Sequence, residues 1–205
     1  GEERLVQPGE RWTIDDGSVN LLCIVPGLER PGDACWDRWG VAVGRFQLLV
    51  IVDHRTRMVV GWSFTARPRD SYRAEDIVAT FHPAIMEHGA PREMVLEHGV
   101  SAAGLVSQTL DALGVRILRA SSPHQKVVES VFNCLWTRLS SLPGQVGRFR
   151  GEEEAANLML TRIRSGALDP RGKLIDLPQL LAAIRAAVEA HNAATVNSER
   201  LGSWV

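Results

Sequence analysis

The spacing of apolar positions changes period along the chain, and the changes mark out its elements. Residues 10–25 alternate and then run apolar through Leu21-Leu-Cys-Ile-Val25, which predicts a first strand. Pro26 to Gly32 interrupts it with Pro-Gly punctuation. Phe46 to Val52 is almost continuously apolar, as expected of a strand buried on both faces. Asp53-His-Arg-Thr-Arg57 makes the turn, and Met58 to Phe64 returns as the third strand of an antiparallel meander. The period then becomes helical from Ser71 to His88, where Ile77, Val78, Phe81 and Ile85 form one face and Gly89-Ala-Pro91 closes the helix. Met94 to Leu96 and Val115 to Leu118 are short strands on either side of a helix over Ser107 to Leu113. His124 to Leu139 is a helix with an apolar stripe at Val128, Phe132, Leu135 and Trp136. Beyond Gly151 the chain is helical, over Glu152 to Arg164 and Asp176 to His191, with Asp176 as N-cap and Pro178 in the first turn.

Three antiparallel strands followed by α-β-α-β-α and further helices describe an α/β chain with a mixed sheet. This is the element order of the ribonuclease H-like fold. The expected division is a core over residues 1–150 and a C-terminal helical extension of the same core over 151–205. A length of 205 residues suits one large domain, and 45% apolar residues argue against disorder.

Charge and cysteine usage narrow the function classes. The formal net charge of −1 gives no support for nucleic-acid binding by bulk basicity. Nearly all cations are arginines, with Lys126 and Lys173 the two lysines, a bias that a GC-rich genome also produces. Cys23, Cys35 and Cys134 are odd in number and widely spaced, which argues against a zinc site or a disulfide framework. No apolar run reaches the roughly 18 residues of a membrane span. A membrane is therefore not an expected partner, and a reducing cytoplasm, bacterial or phage-encoded, is the expected setting. The start at Gly-Glu-Glu-Arg, without Met, reads as an excised or processed core.

Three acidic positions carry candidate chemistry, because carboxylate oxygens are what hold divalent cations. Asp15 and Asp16 lie in a strand, where side chains alternate faces and one of the pair points to a given site. A turn-proximal Asp-Asp-Gly is the structural alternative. Glu97 follows an apolar strand and precedes His98-Gly99, at a strand exit where α/β sheets place ligand-facing groups. Glu129 borders the apolar stripe of its helix, and Lys126 and Asn133 share its face. Its alternative is an ordinary surface ion pair. Asp53 and Asp111 read as structural, Glu152 to Glu154 as a solvated first turn, and Trp36 and Trp39 as packing residues in a loop.

With these residues placed, the chain resembles the catalytic core of the transposase and retroviral-integrase superfamily, and within it the phage Mu transposase branch. The resemblance is carried by Glu10-Arg-Trp-Thr-Ile-Asp-Asp-Gly-Ser18, Val52-Asp-His-Arg-Thr-Arg-Met-Val-Val-Gly-Trp62 and Gly89-Ala-Pro-Arg-Glu-Met-Val-Leu-Glu-His-Gly99. Gly114-Val-Arg-Ile117, Ser122-Pro-His-Gln-Lys-Val-Val-Glu129 with Phe132, and the C-terminal His191-Asn192 and Asn197-Ser-Glu-Arg200 extend it over roughly residues 8–200. Between Glu97 and Glu129 stand 31 residues, nearer the integrase gap than that of Mu.

The resemblance implies a polynucleotidyl transferase that nicks DNA and joins the new 3′-hydroxyl to target DNA. Two Mg²⁺ or Mn²⁺ ions would be held by Asp16, Glu97 and Glu129. The offset from Trp12 and the following Gly-Ser select Asp16, whereas the retroviral Trp-x-x-Asp spacing selects Asp15. Glu97 stands where the family carries Asp, and its side chain reaches roughly an ångström further, which matters to an octahedral ion. An altered metal preference or a lost activity are the consequences to weigh. Lys126 matches a DNA-contacting lysine, and Arg116, Arg119 and His124 are further candidate phosphate contacts. Implied partners are DNA ends and target, other copies of the full-length protein on DNA, and a regulatory ATPase. Two alternatives stay open: a catalytically impaired core kept for assembly, and a ribonuclease H-like nuclease or resolvase that cuts without joining.

Overall fold

The computed structural model describes residues 6–65, 72–96, 104–119, 122–146 and 150–196, with backbone alone for 122–126, 150–153 and 196. The chain forms two compact units that interleave along the sequence. The first holds residues 1–17, 47–135 and 188–205, and the second 18–46 and 136–187.

The first unit is built on a five-stranded sheet. Its strands are β1 (Arg11–Ser18), β4 (Gln47–Asp53), β5 (Val59–Thr65), β6 (Glu93–Leu96) and β7 (Arg116–Arg119), in the order β5-β4-β1-β6-β7. β1, β6 and β7 are parallel, with Arg11 opposite Glu93 and Glu93 opposite Arg116. β4 and β5 form an antiparallel hairpin, in which Val60 is the extra residue of a bulge between Ile51 and Val52. The His54 N–H donates to the Arg11 carbonyl at 2.8 Å, so the end of β4 meets the start of β1 and the two run in opposite directions. A meander continued by two parallel strands on the far side of β1 is the ribonuclease H-like arrangement.

Period-two alternation decides what each face buries. Trp12 and Ile14 of β1, Leu49 and Ile51 of β4, and Met94 and Leu96 of β6 point to one face. There they meet Ile77, Phe81 and Ala84 of helix α2 (Ala74–His88) and Val106 and Leu110 of α3 (Gly104–Ala112). Each of the Leu, Ile, Val, Phe and Met side chains here stabilises the fold by roughly 1.5–3 kcal/mol on burial. Helix α2 comes so close at Gly61 that a Cβ there would stand 2.9 Å from the Ala84 Cβ. Thr13, Val50, Val52 and Val95 alternate with this set and are buried on the opposite face.

Polar contacts fix the unit's ends. Asp53, 2% exposed, accepts from the backbone of Gly9, Arg55 and Thr56 and from the Thr56 hydroxyl. It organises the hairpin turn, in which Arg57 takes a left-handed conformation at φ 67°. Across the starts of the three parallel strands, Glu93 lies between Arg11, at 2.6 Å, and Arg116. Burial pushes the Glu93 carboxyl up, and the two guanidinium groups outweigh it and hold the carboxyl below its usual range. On β5, an edge strand of the sheet, the Asn192 side chain accepts from the Val59 N–H and donates to the Val59 carbonyl.

The second unit holds a three-stranded sheet of β2 (Cys23–Val25), β3 (Ala42–Gly44) and β8 (Ile175–Asp176), in the order β3-β2-β8. Its core joins Leu22, Ile24 and Val43 to Cys35 of α1 (Ala34–Trp39) and to Ala156 and Ile163 of α5 (Arg150–Ser165). Helix α4 (Ser122–Leu139) is counted with the first unit up to Leu135, and α6 (Leu177–Val196) from Val188. Asp176 and Gln179 cap α6 reciprocally, each side chain accepting from the other's backbone N–H at 2.8 and 3.0 Å.

Two sequence expectations change. The strand expected over residues 10–25 is two strands in different sheets. Between them the Leu21 N–H donates to the Val19 carbonyl and the Leu22 N–H to the Gly144 carbonyl, both at 2.8 Å. The segment around Trp36 and Trp39 is a helix, capped by Asp33 and ended by a left-handed Gly40.

Candidate active site

β1 and β6 end on the same side of the sheet, because they are parallel and in register from Arg11–Glu93 to Thr13–Val95. The carboxyl ends of parallel strands are where open α/β sheets receive ligands. Asp15 and Asp16 occupy that end of β1, both half-buried. The Asp15 carboxylate accepts the backbone N–H of Asp16 at 2.9 Å, which fixes one of its oxygens.

The faces of these two acids differ. Trp12 and Ile14 are in the core shared with α2 and α3, so the even positions, Asp16 included, face that side. Thr13, Asp15 and Gly17 face the other. Gly17 is where helix α4 touches the strand: a Cβ built there would stand 2.9 Å from Cε1 and 3.0 Å from Cζ of Phe132. Phe132 belongs to the buried stripe of α4, with Val128, Val131 and Leu135. Glu129 lies three residues before it, exposed at the border of that stripe, and residues so spaced are neighbours on a helix surface. The strand's odd face and the Glu129 turn of α4 therefore stand together.

The remaining candidates divide by place. β6 delivers the chain to this end at Leu96, and Glu97 lies outside the described residues, as do the side chains of His124 and Lys126. Arg119 is exposed at the carboxyl end of β7. Arg116 is at the opposite end of that strand, where its guanidinium is bonded to Glu93. Among the described residues, no group of three His, Cys, Asp or Glu side chains is placed to hold a metal ion.

Among the described residues, the candidate donors Asp15, Asp16 and Glu129 are carboxylates, the donor type that hard divalent cations take. Two of the thiols, Cys23 and Cys35, are buried in the second unit. Burial, with the nearby Asp176 charge, pushes the Cys23 thiol up to about 12, so it stays protonated at neutral pH. Burial and Asp33 likewise raise Cys35. The sequence places Gly17 in a turn-proximal Asp-Asp-Gly or in the Gly-Ser that selects Asp16, and neither reading expects a helix contact. Its signal was a glycine at a strand position two residues beyond a candidate acid, where close backbone approach is the usual reason for the missing side chain.

Comparison with known proteins adds the following. No protein-family model and no curated protein matches the chain. Among solved structures, the chain is similar to retroviral integrase cores. One is the simian T-cell lymphotropic virus intasome in complex with PP2A regulatory subunit B56 gamma, at 16% identity and a TM-score of 0.46; the match covers 78% of this chain and 50% of that one. A second is the HTLV-2 integrase catalytic core domain in complex with magnesium, at 14% identity, a TM-score of 0.42, and coverage of 78% and 88%. The BIV integrase catalytic core domain stands at 15%, 0.43, and 75% and 82%. The chain thus spans about half the length of the first of these.

Proposed function

We propose that the chain is the catalytic core of a DNA strand transferase of the transposase and integrase class, in the Mu-type branch. It would nick DNA and join the resulting 3′-hydroxyl to a target strand. The observation that carries this reading is the contact of Gly17 with Phe132, which puts the carboxylate-bearing end of β1 beside the Glu129 turn of α4.

Asp15 and Glu129, with Glu97 from the exit of β6, would hold two Mg²⁺ or Mn²⁺ ions. Strand alternation supports Asp15 over Asp16 for this role, since Asp15 shares the face of Gly17 and Phe132. When bound, such ions polarise the scissile phosphate and lower the pKa of an attacking hydroxyl. The protein's own part is positioning: Asp15 on a strand end and Glu129 on a helix are carried by regular elements that hold their backbones in place. Arg119, His124 and Lys126 are the phosphate contacts of this reading. Arg116, engaged by Glu93, is set aside from it.

DNA ends and target are the partners, with a homo-oligomer assembled on DNA, a regulatory ATPase, and a cytoplasmic, bacterial or phage setting. The test is divalent-dependent nicking and joining of short duplexes by wild type and Glu129→Gln. The variant should lose both activities while unfolding as cooperatively as wild type. Equal activity in the two proteins would remove Glu129 from the site.

A second reading is a core retained for assembly. It is favoured by Glu97 in place of the shorter acid and by the net charge of −1. A chain that binds Mn²⁺ but neither cuts nor joins would support it. Cutting without joining would instead indicate a nuclease or resolvase.

A further inference from the structure

Gly17 is not at a turn. It lies inside β1, a strand position where glycine weakens the ladder and offers no side chain to pack. Its backbone has no conformation that demands glycine, since it is not among the glycines with positive φ. What it provides is room. A Cβ at this position would stand 2.9 Å from Cε1, 3.0 Å from Cζ and 3.1 Å from Cδ1 of Phe132, closer than packed carbons approach. The ring cannot simply swing into solvent, because Phe132 is 7% exposed and belongs to a buried stripe. The Phe132 ring therefore reaches the strand backbone with no strand side chain in its way, and the ring edge sets the separation of strand and helix.

We infer that Gly17 and Phe132 are a positioning pair for the carboxylate site. By seating the ring of α4 directly on the backbone of β1, they fix how far Glu129 stands from Asp15. The inference deepens the strand-transferase reading and rests on its assignment of those two acids. Asp15 is two residues before Gly17 on the same strand face, and Glu129 is one helical turn before Phe132. A displacement at the contact is thus transmitted to both ligands over a few ångströms of rigid backbone. Neither Gly17 nor Phe132 touches metal or substrate in this account; both act through the acids they hold apart.

The experiment is Mn²⁺ binding by calorimetry, with thermal unfolding of each metal-free protein measured in parallel. Wild type, Gly17→Ala, Phe132→Leu and the double variant are compared. Gly17→Ala should weaken Mn²⁺ binding by about tenfold, the scale on which supporting residues affect metal sites. Phe132→Leu removes the ring edge and loosens the spacing, so it should weaken binding as well. In the double variant the smaller side chain accommodates the new methyl. Mn²⁺ affinity should recover towards wild type, although the double variant is no more stable than Phe132→Leu alone. A purely structural role would have affinity follow thermal stability through the series, and that result overturns the inference. So does wild-type affinity in Gly17→Ala. Absence of Mn²⁺ binding in wild type is distinguishable from both, and it overturns the strand-transferase reading together with this inference.

Discussion

Asn192 holds Val59 by both of its backbone groups, accepting its N–H at 2.9 Å and donating to its carbonyl at 2.8 Å. A side-chain amide here does what a neighbouring strand would do for an edge strand, and it blocks the pairing that open edges invite. His191 adds a contact from Nε2 to the Arg57 carbonyl at 2.9 Å. Asn192→Ala leaves two backbone groups of a buried valine without this partner, and should cost about 1–3 kcal/mol in urea unfolding. Asn192→Asp keeps the acceptor and loses the donor, so it should fall between. A change within a few tenths of a kcal/mol for the alanine variant would show that water replaces the clamp.

Glu93 gives the fold a specific acid sensitivity. Its carboxyl is held below the usual range by Arg116 and Arg11 against the opposing effect of burial. A depressed folded pKa means stability that is present above the unfolded carboxylate pKa and lost as pH falls through the folded one. Glu93→Gln should therefore be less stable than wild type at neutral pH, by about 1–2 kcal/mol for a pair between exposed and buried. The gap should close as pH drops below the ordinary carboxylate range. Thermal melts across that range would show parallel curves if the ion triad contributed nothing.

Asp53 accepts four hydrogen bonds at the hairpin turn, three of them through one oxygen. Asp53→Ala strands all four donors, and a loss of about 3 kcal/mol or more is expected. Asp53→Asn can keep the three-bond oxygen while presenting an amine to the Gly9 N–H, so it should retain part of that stability. Equal losses in the two variants would mean that the Gly9 bond, and not the turn, is what Asp53 maintains.

The sheet was legible in the sequence wherever one period held. Leu48 to Val52 and Met94 to Leu96 are strands because apolar runs of that length bury on both faces. The split of residues 10–25 was not legible, since Val19, Leu21 and Leu22 continue the apolar run through the bend. What turns the chain there is partly a distant carbonyl, that of Gly144, which no local pattern reports. Helix α1 carried its caps in plain sight at Asp33 and Gly40, but six residues are too short for a periodic signal. At the site, the offset from Trp12 and the following Gly-Ser select Asp16, with Asp15 as the alternative from the Trp-x-x-Asp spacing. Asp15 is proposed from strand faces that spacing does not report, with Trp12 and Ile14 in one core and Gly17 against Phe132.

That face assignment has a direct consequence in solution. Asp15→Asn should weaken Mn²⁺ binding by about tenfold or more, as loss of a ligand charge requires, whereas Asp16→Asn should change it little. Calorimetry on the two variants separates them. The reverse order would mean that β1 twists between Ile14 and Gly17 and presents Asp16 to α4.

The central claim is that Asp15 and Glu129 share one divalent-cation site. It is tested most directly by soaking Mn²⁺ into crystals of the 205-residue chain and locating the ion by its anomalous scattering. The expected result is manganese within about 2 Å of carboxylate oxygens from both Asp15 and Glu129. Manganese bound by Asp16 without Glu129, or no manganese at this end of the sheet, would contradict it.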